Sequence, residues 1–565
     1  MTDSTPSSIL ALSTRRAMLE EPGLGAGTFL RYALEYNPHP DVPFVHRQDI
    51  DEQGVVRLSG HSLRDLAAIR DTYARWYWAN GVRPGDPVGV YVSEGLEPFL
   101  QFLGLTALGA IPAMMNNNMP LEIVPRYLAH LGAVGVVTDD VAAVRAALGE
   151  DAAGGLRFIV SSAELRSPDA AEGELPSRYP YEHGDDDVVA LIHSSGTTGM
   201  PKATIVGHRQ FWVGRKPRVL AFPSERDDRV LSALPHTHAA GISYLMNSVL
   251  TGVPIVAMAD WRRRAVEPTM AVYQPSVVVA FPRTYVELAT GELPVAAAAR
   301  VHTWISTGDR AHDAHVRRLV QLGRRPATGD GQPARAGSRF NDGLGSSELG
   351  MSLFQQITTP ESPRDDCCIG RPIDVVERVA VLAQSGAELP DGTPGLLGVV
   401  SPTRTPGYWR APDLNSRHEL AGYWLSGDVV RRAADGRFYH LDRSVDVITT
   451  ATGPVYSLPV EEVLLADCAE LVLDCSVVGV PGPAGDQRPV AVIVSQPGVT
   501  EPDGQELLDT LNKALSAANL PSLDAAVIAE DERHFPTGAT GKVLKRELRE
   551  RLANLLTGEN TPTHL

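Results

Sequence analysis

The sequence predicts an α/β protein in two unequal parts. A large N-terminal domain of parallel α/β sheets carries a β subdomain, and a small α/β lid domain follows it. Three observations predict this. At 565 residues the chain is too long for one hydrophobic core. Between residues 62 and 306, apolar runs of strand length alternate with helical periodicity, the mark of a parallel sheet covered by helices. From about 370 to 440 the runs are short and broken by Gly and Pro, and from about 444 the alternation starts again. The expected boundaries are a loose lead-in over 1–25, a main domain over 26–442 and a lid over 443–565.

Residues 1–25 are rich in Ser, Pro and Gly. Over 62–78, Leu63, Leu66, Ile69, Tyr73 and Trp76 recur at helical spacing and predict an amphipathic helix. A turn at 81–86 leads to a strand over 87–92. Helix 97–107, strand 110–115, helix 121–131 and strand 134–138 continue the alternation. The apolar run 188–192 is a further strand. Strands are then expected over 229–234, 254–257, 276–281 and 301–306. The stretch 323–338 has no core-forming content and reads as a flexible surface insertion. In the lid, apolar runs over 469–480 and 489–495 and helices over 505–517 and 542–557 are expected.

Hydrophobic content of 43% and charged content of 21% are ordinary for a globular protein. A net charge of −17 argues against nucleic-acid or anionic-membrane binding. Cys367, Cys368, Cys468 and Cys475 suit a reducing compartment, and the adjacent Cys367-Cys368 pair is read as partly buried thiols. No leader-like start and no bilayer-length apolar run is found, so the cytoplasm is the expected location.

The stretch around which the chain is organised is Leu191-Ile-His-Ser-Ser-Gly-Thr-Thr-Gly-Met-Pro-Lys-Ala203. Ser194, Ser195, Gly196, Thr197, Thr198 and Gly199 form a loop with little side-chain bulk. Such a loop can wrap a phosphate chain and donate N–H and O–H groups to it. Lys202 adds a cation. The spacing is not that of a Walker A loop. The bland alternative is a surface linker, but the loop follows a buried strand, whose carboxyl end is where parallel sheets bind ligands.

This stretch resembles the signature loop of the adenylate-forming superfamily, close to S-S-G-T-T-G-x-P-K-G, with Ala203 in place of the final Gly. Further motifs follow in that family's order. Asn341-Asp-Gly-Leu-Gly-Ser-Ser-Glu-Leu-Gly350 resembles its G-Y-G-x-T-E segment. The resemblance implies that Gly343, Leu344, Gly345, Ser346 and Ser347 meet the nucleotide and that Glu348 holds Mg²⁺, a hard cation that prefers carboxylate oxygen. Leu344 replaces the usual aromatic. Tyr423-Trp-Leu-Ser-Gly-Asp-Val429 resembles W-x-[TS]-G-D, implying that Asp428 binds the ribose. Leu441-Asp-Arg-Ser-Val-Asp446 resembles the domain-boundary motif, with Arg443 directed at phosphate or ribose oxygens. Val445 stands at the hinge, where Lys or Asp is usual. Phe535-Pro-Thr-Gly-Ala-Thr-Gly-Lys-Val-Leu-Lys545 implies that Lys542 is the adenylation lysine on a mobile lid; Lys545 is expected at the surface. In Leu234-Pro-His-Thr-His-Ala-Ala-Gly241, His238 matches the gate to the acyl pocket. That pocket is expected to include Ala239, Gly241, Ser306, Thr307, Gly308 and Leu349. A metal site at His236 and His238 is a weak competitor, and His312 and His315 are expected at the surface.

The resemblance implies ATP- and Mg²⁺-dependent activation of a small carboxylic acid, with Lys542, Thr197, His238 and Glu348 as the catalytic set. Thioester formation with coenzyme A is the continuation it implies. Val445 and the lysine-poor loop 448–456, with Pro454 after Gly453, favour a rival in which the adenylate passes to a partner enzyme or carrier protein. A non-catalytic nucleotide-binding module is the remoter alternative. No Asp stands within 235–245 to bind an α-amino group, which argues against an α-amino acid. The many small residues leave room for a bulky acid.

Overall fold

A computed structural model describes residues 7–51, 53–167, 173–194, 200–291, 293–326, 333–483, 485–500, 502–529, 535–538 and 542–556. Val- and Ile-rich runs buried on both faces assemble two sheets whose strands run mainly parallel, as continuous apolar runs require. In the first, the order is Phe158–Val160, Gly135–Thr138, Pro87–Tyr91, Ile111–Met114, Val188–Ser194 and Lys202–Gly207. All neighbours are parallel except the last pair, an antiparallel hairpin.

The second sheet has 14 strands. Its parallel stretch runs Val45–Ile50, Ile255–Ala257, Val230–Ala233, Val277–Ala280, Thr303–Ser306 and Arg339–Asp342. Beyond Arg339–Asp342 it continues antiparallel through Phe354–Thr358, Cys368–Pro372, Phe438–Arg443, Tyr423–Arg432, Gly395–Val400 and Arg378–Leu382. The β subdomain expected near 370–440 is thus an antiparallel extension of the main sheet, hydrogen-bonded to it through Phe354↔Pro372.

Helix Ala239–Thr251 packs into the largest core cluster, and all its residues are buried except Ala240 and Tyr244. Trp304 is fully buried and donates its indole N–H to Ser338 Oγ at 2.7 Å. That bond fixes the end of the 323–338 insertion, whose flanks Arg324–Arg325 and Arg335–Ala336 pair as a short ribbon. Residues 327–332 lie outside the described residues.

After Arg443 the chain builds a three-stranded sheet of Val472–Pro481, Gln487–Ser495 and Ala525–Ala529. Helices Ser457–Asp467 and Gly504–Ala517 pack on one face and Lys545–Arg551 on the other. The last helix starts at Lys545, later than expected, and Lys542 precedes it in an extended segment.

The lead-in is not loose over its described part. Leu10, Met18, Leu19 and Leu24 are buried, and Arg15 donates to the Val219 and Phe222 carbonyls. Leu10 N–H bonds Thr251 O, and a Cβ on Gly252, at φ +73°, would overlap Ser8 O. Among the described residues no helix is long and apolar enough to cross a membrane. All four cysteines are free and buried.

Candidate active site

The loops beyond the carboxyl ends of the parallel strands open onto one cleft of about 2000 Å³, which residues 537–538 and 542–547 close from the C-terminal part. Lys542 reaches into it, with Nζ 3.9 Å from the Asp309 carboxylate.

His238 caps helix Ala239–Thr251: its Nδ1 accepts the Ala240 N–H at 3.2 Å. Its proton therefore sits on Nε2, 3.3 Å from Ser347 Oγ. Burial, with the charges of His193 and Lys542 nearby, lowers its pKa to about 4, so the ring is neutral. His236 bonds Ser232 Oγ at 3.1 Å instead of converging with His238, which ends the H-x-H metal idea. Among the described residues, Glu225, Asp228 and His302 are near enough to share a metal. Asp228 there already accepts the Ser224 and Glu225 N–H groups, the Ser276 hydroxyl and His302, which reads as a structural loop anchor.

Glu348 accepts the Tyr408 hydroxyl at 3.0 Å. Lys202 Nζ lies 5.0 Å above the same Tyr408 ring and 3.4 Å from His418 Nε2. A carboxylate and an ammonium thus share one aromatic partner across the cleft. Burial and the neighbouring Glu348 push the Tyr408 hydroxyl far up, so it stays a neutral donor. Tyr408 and His418 belong to no motif in the sequence reading; folding alone brings them here.

Asp428 is 3% exposed and lies just behind the cleft wall that Gly427 and Arg443 form. Its Oδ1 is 3.3 Å from Arg443 Nη1 and 3.4 Å from His440 Nε2. Burial favours its neutral form, but Arg443 and His440 outweigh that and hold the carboxyl well below its usual range.

Ser306, Thr307, Gly308, Ala239, Ser346, Gly343 and Gly345 line the cleft. Gly308 has φ +88°, and a Cβ there would lie 2.4 Å from the Phe281 ring, so only glycine fits. Gly343 and Gly345 answer a closer demand than the expected ligand approach: Cβ atoms there would strike Ser352 and the Met351 carbonyl.

Several expectations are corrected. Leu344 and Leu349, 7% and 1% exposed, turn into the core of the antiparallel extension and do not line the cleft. Gly241 does not line it either; it lets the helix start pack against the Pro235 carbonyl, 2.4 Å from where a Cβ would sit. Ala240, Ser243, Tyr244 and Asn247 of that helix line it instead. His315 is buried, and half-buried His312 pairs with Glu462 at 3.2 Å. Lys545 is no surface residue: it pairs with Glu461 at 2.8 Å and donates to Ser457 Oγ.

Ser195, Gly196, Thr197, Thr198 and Gly199 lie outside the described residues. The ends of their loop are set by the hairpin, in which Ser194 faces Lys202. Val445 is 60% exposed at the cleft edge, between Arg443 and the hairpin Ile448–Thr450/Gly453–Val455. No residue from 447 to 456 lines the cleft.

The profile of the AMP-binding enzyme family matches residues 38–409. The chain belongs to the AMP-binding enzymes. It is therefore an adenylate-forming enzyme of the superfamily that the signature loop pointed to. It is 37% identical over 569 aligned residues to the 3-aminoavenalumate diazotase of a Streptomyces species, covering 96% of this chain and 99% of that protein. It is 26% identical to the 3-amino-2-hydroxy-4-methoxybenzoate diazotase of Streptomyces cremeus, covering 86% and 88%. The fold matches that of the anthranilate CoA ligase AuaEII in complex with anthranoyl-AMP at a TM-score of 0.78, with 18% identity and 94% and 98% coverage.

Proposed function

We propose that this enzyme is a diazotase: it uses ATP to convert the amine of a small amino-substituted aromatic carboxylic acid into a diazonium group. The single observation that carries this reading is near-full-length similarity to a diazotase at 37% identity. General chemistry supplies the rest. Nitrite is an oxyanion, as a carboxylate is, and in neutral water its oxygen is a poor leaving group. Attack of a nitrite oxygen on the α-phosphorus of ATP expels pyrophosphate and leaves a nitroso group anhydride-linked to AMP. The amine attacks the nitroso nitrogen, AMP departs with the bridging oxygen, and the N-nitrosamine takes up a proton and loses water to give the diazonium.

The residues suit that task. Two anions must meet, so cations and fixed geometry carry the catalysis. Lys542, already in the cleft, balances charge as the oxyanion approaches. Lys202 and the loop Ser194–Gly199 hold phosphate oxygens. Glu348, half-buried and facing the cleft, fits Mg²⁺, which would neutralise phosphate charge when bound. Asp428 would take the ribose hydroxyls once Arg443, whose side chain is 44% exposed, swings from it. Neutral His238 keeps an N–H toward Ser347 at the mouth of the acid pocket. Residues 443–565 act as the lid, turning at Val445. We place the reaction in the cytoplasm, where ATP is available.

Transfer to coenzyme A, to a partner enzyme or to a carrier protein is the rival continuation. The lysine-poor hairpin, away from the cleft, and Val445 in place of Lys or Asp disfavour the thioester. The test incubates the enzyme with ATP, Mg²⁺, a panel of 3-aminoaryl acids, and either nitrite or coenzyme A. Diazonium is trapped with 2-naphthol, and AMP and thioester are followed chromatographically. Azo dye and AMP that require nitrite are expected. A thioester formed without nitrite, and no dye, would overturn the reading.

A further inference from the structure

Inside the cleft, two arginines stand together without a carboxylate. Arg215 is buried; its Nε donates to Ser243 Oγ at 2.7 Å and its Nη2 to the Gly350 carbonyl at 2.7 Å. Arg218 Nη1 reaches the same Ser243 Oγ at 3.3 Å, and its guanidinium lies 4.6 Å from the Tyr244 ring centroid. Neither arginine makes an ion pair among the described residues. Burial, then the charge of Arg218, depresses the Arg215 pKa, so the two cations repel. A buried cation with a second, half-buried cation beside it is costly unless an anion joins them. One turn further along the helix, Asn247 is 5% exposed and its side-chain oxygen has no hydrogen-bond partner. Its amide ends are interchangeable, so it can offer an N–H₂ from the same cleft wall. Arg215, Arg218, Ser243 and Asn247 all line the cleft, as does Tyr244.

Ser243 and Tyr244 lie five and six residues beyond His238 on the same helix, about 8 Å of axial rise. The cations therefore stand deeper along the cleft wall than His238, at a spacing on the scale of a small amino-substituted aromatic acid. A substrate whose carboxylate faced the nucleotide would leave its apolar end against these cations. We propose that Arg218, with Arg215, Ser243 and Asn247 behind it, binds the carboxylate of the aromatic acid and so aims the opposite amine at the nucleotide. This rests on the diazotase reading, in which the amine reacts and the carboxylate does not.

The test is calorimetry on the full chain without nucleotide or nitrite. The ligands are 3-aminocinnamic acid and 3-vinylaniline, the same amine without the carboxylate. Wild type should bind the acid about 30-fold more tightly, as charge-assisted hydrogen bonds allow. Arg218→Gln should bring the acid within about 3-fold of the amine while leaving the amine's affinity unchanged, and Arg218→Lys should recover part of the difference. Arg339→Gln, at an arginine lining the same cleft beside Thr303, should keep the preference. No acid preference in wild type, a preference that survives Arg218→Gln, equal weakening of both ligands, or loss through Arg339→Gln alone would each overturn the anchor. Because no reaction is run, failure to form dye in the assay above overturns the chemistry and is read separately from this binding result.

Discussion

Asp428 stays charged behind the cleft wall because Arg443 and His440 compensate what burial would cost it. Asp428→Asn keeps the shape and removes the charge. It should raise the KM for ATP about 10- to 100-fold with a smaller effect on kcat, measured by pyrophosphate release. Lys542→Ala should do the opposite, lowering pyrophosphate formation about 100- to 1000-fold while equilibrium ATP binding is nearly unchanged. That Glu348, His238 and Lys542 share one cleft could be anticipated because contiguous motifs carry them. Tyr408, His418 and the Arg215/Arg218 pair could not, because each matters through a partner distant in sequence or on another element. Leu344 and Leu349 misled for a related reason: motif position gives the backbone path, and whether a side chain faces ligand or core depends on which neighbouring strand it meets.

The elements after Arg443 are held to the body by buried charge. Glu462, on helix Ser457–Asp467, receives Arg310 at 3.3 Å, His312 at 3.2 Å and the Asp313 N–H at 3.1 Å. Arg283 meets Asp474 at 3.0 Å. Burial alone would lower the His312 pKa, but Glu462 and Glu461 raise it from 6.5 to about 9. Burial opposes Glu462 as well, yet His312 and Arg310 bring it from 4.5 down to about 2. The signs follow from linkage. The His312 contribution is complete below pH 6.5 and is lost as pH rises through about 9; that of Glu462 is complete above 4.5 and is lost as pH falls through about 2. Wild type should therefore lose on the order of 2 kcal/mol relative to His312→Gln between pH 6.5 and 9.5, read from urea midpoints. Glu462→Gln should cost about 3–5 kcal/mol at neutral pH, because it leaves buried Arg310 without its carboxylate and half-buried His312 with only Glu461 at 3.9 Å. Strand and helix positions were legible from periodicity; this network was not, since His312 and Lys545 sit in polar stretches that read as solvated faces.

At the scale of the whole molecule, a chain of net charge −17 gathers Lys202, Lys542, Arg443, Arg215 and Arg218 around one cleft. An overall field that repels nucleotide is thereby offset locally at the cleft proposed to hold it. The α/β class and the order of its elements were legible because alternation and Gly/Pro punctuation span hundreds of residues. The fusion of the β subdomain to the main sheet was not, because a single interstrand pairing, Phe354–Thr358 with Cys368–Pro372, decides it. On the diazotase reading, AMP is formed on a nitrite oxygen while the carboxylate of the aromatic acid remains untouched. The most direct measurement runs the reaction twice, once with oxygen-18 nitrite and once with oxygen-18 in the acid's carboxylate, and weighs the AMP. One heavy oxygen in AMP from nitrite and none from the carboxylate are expected. Heavy oxygen arriving from the carboxylate, with none from nitrite, would contradict that reading.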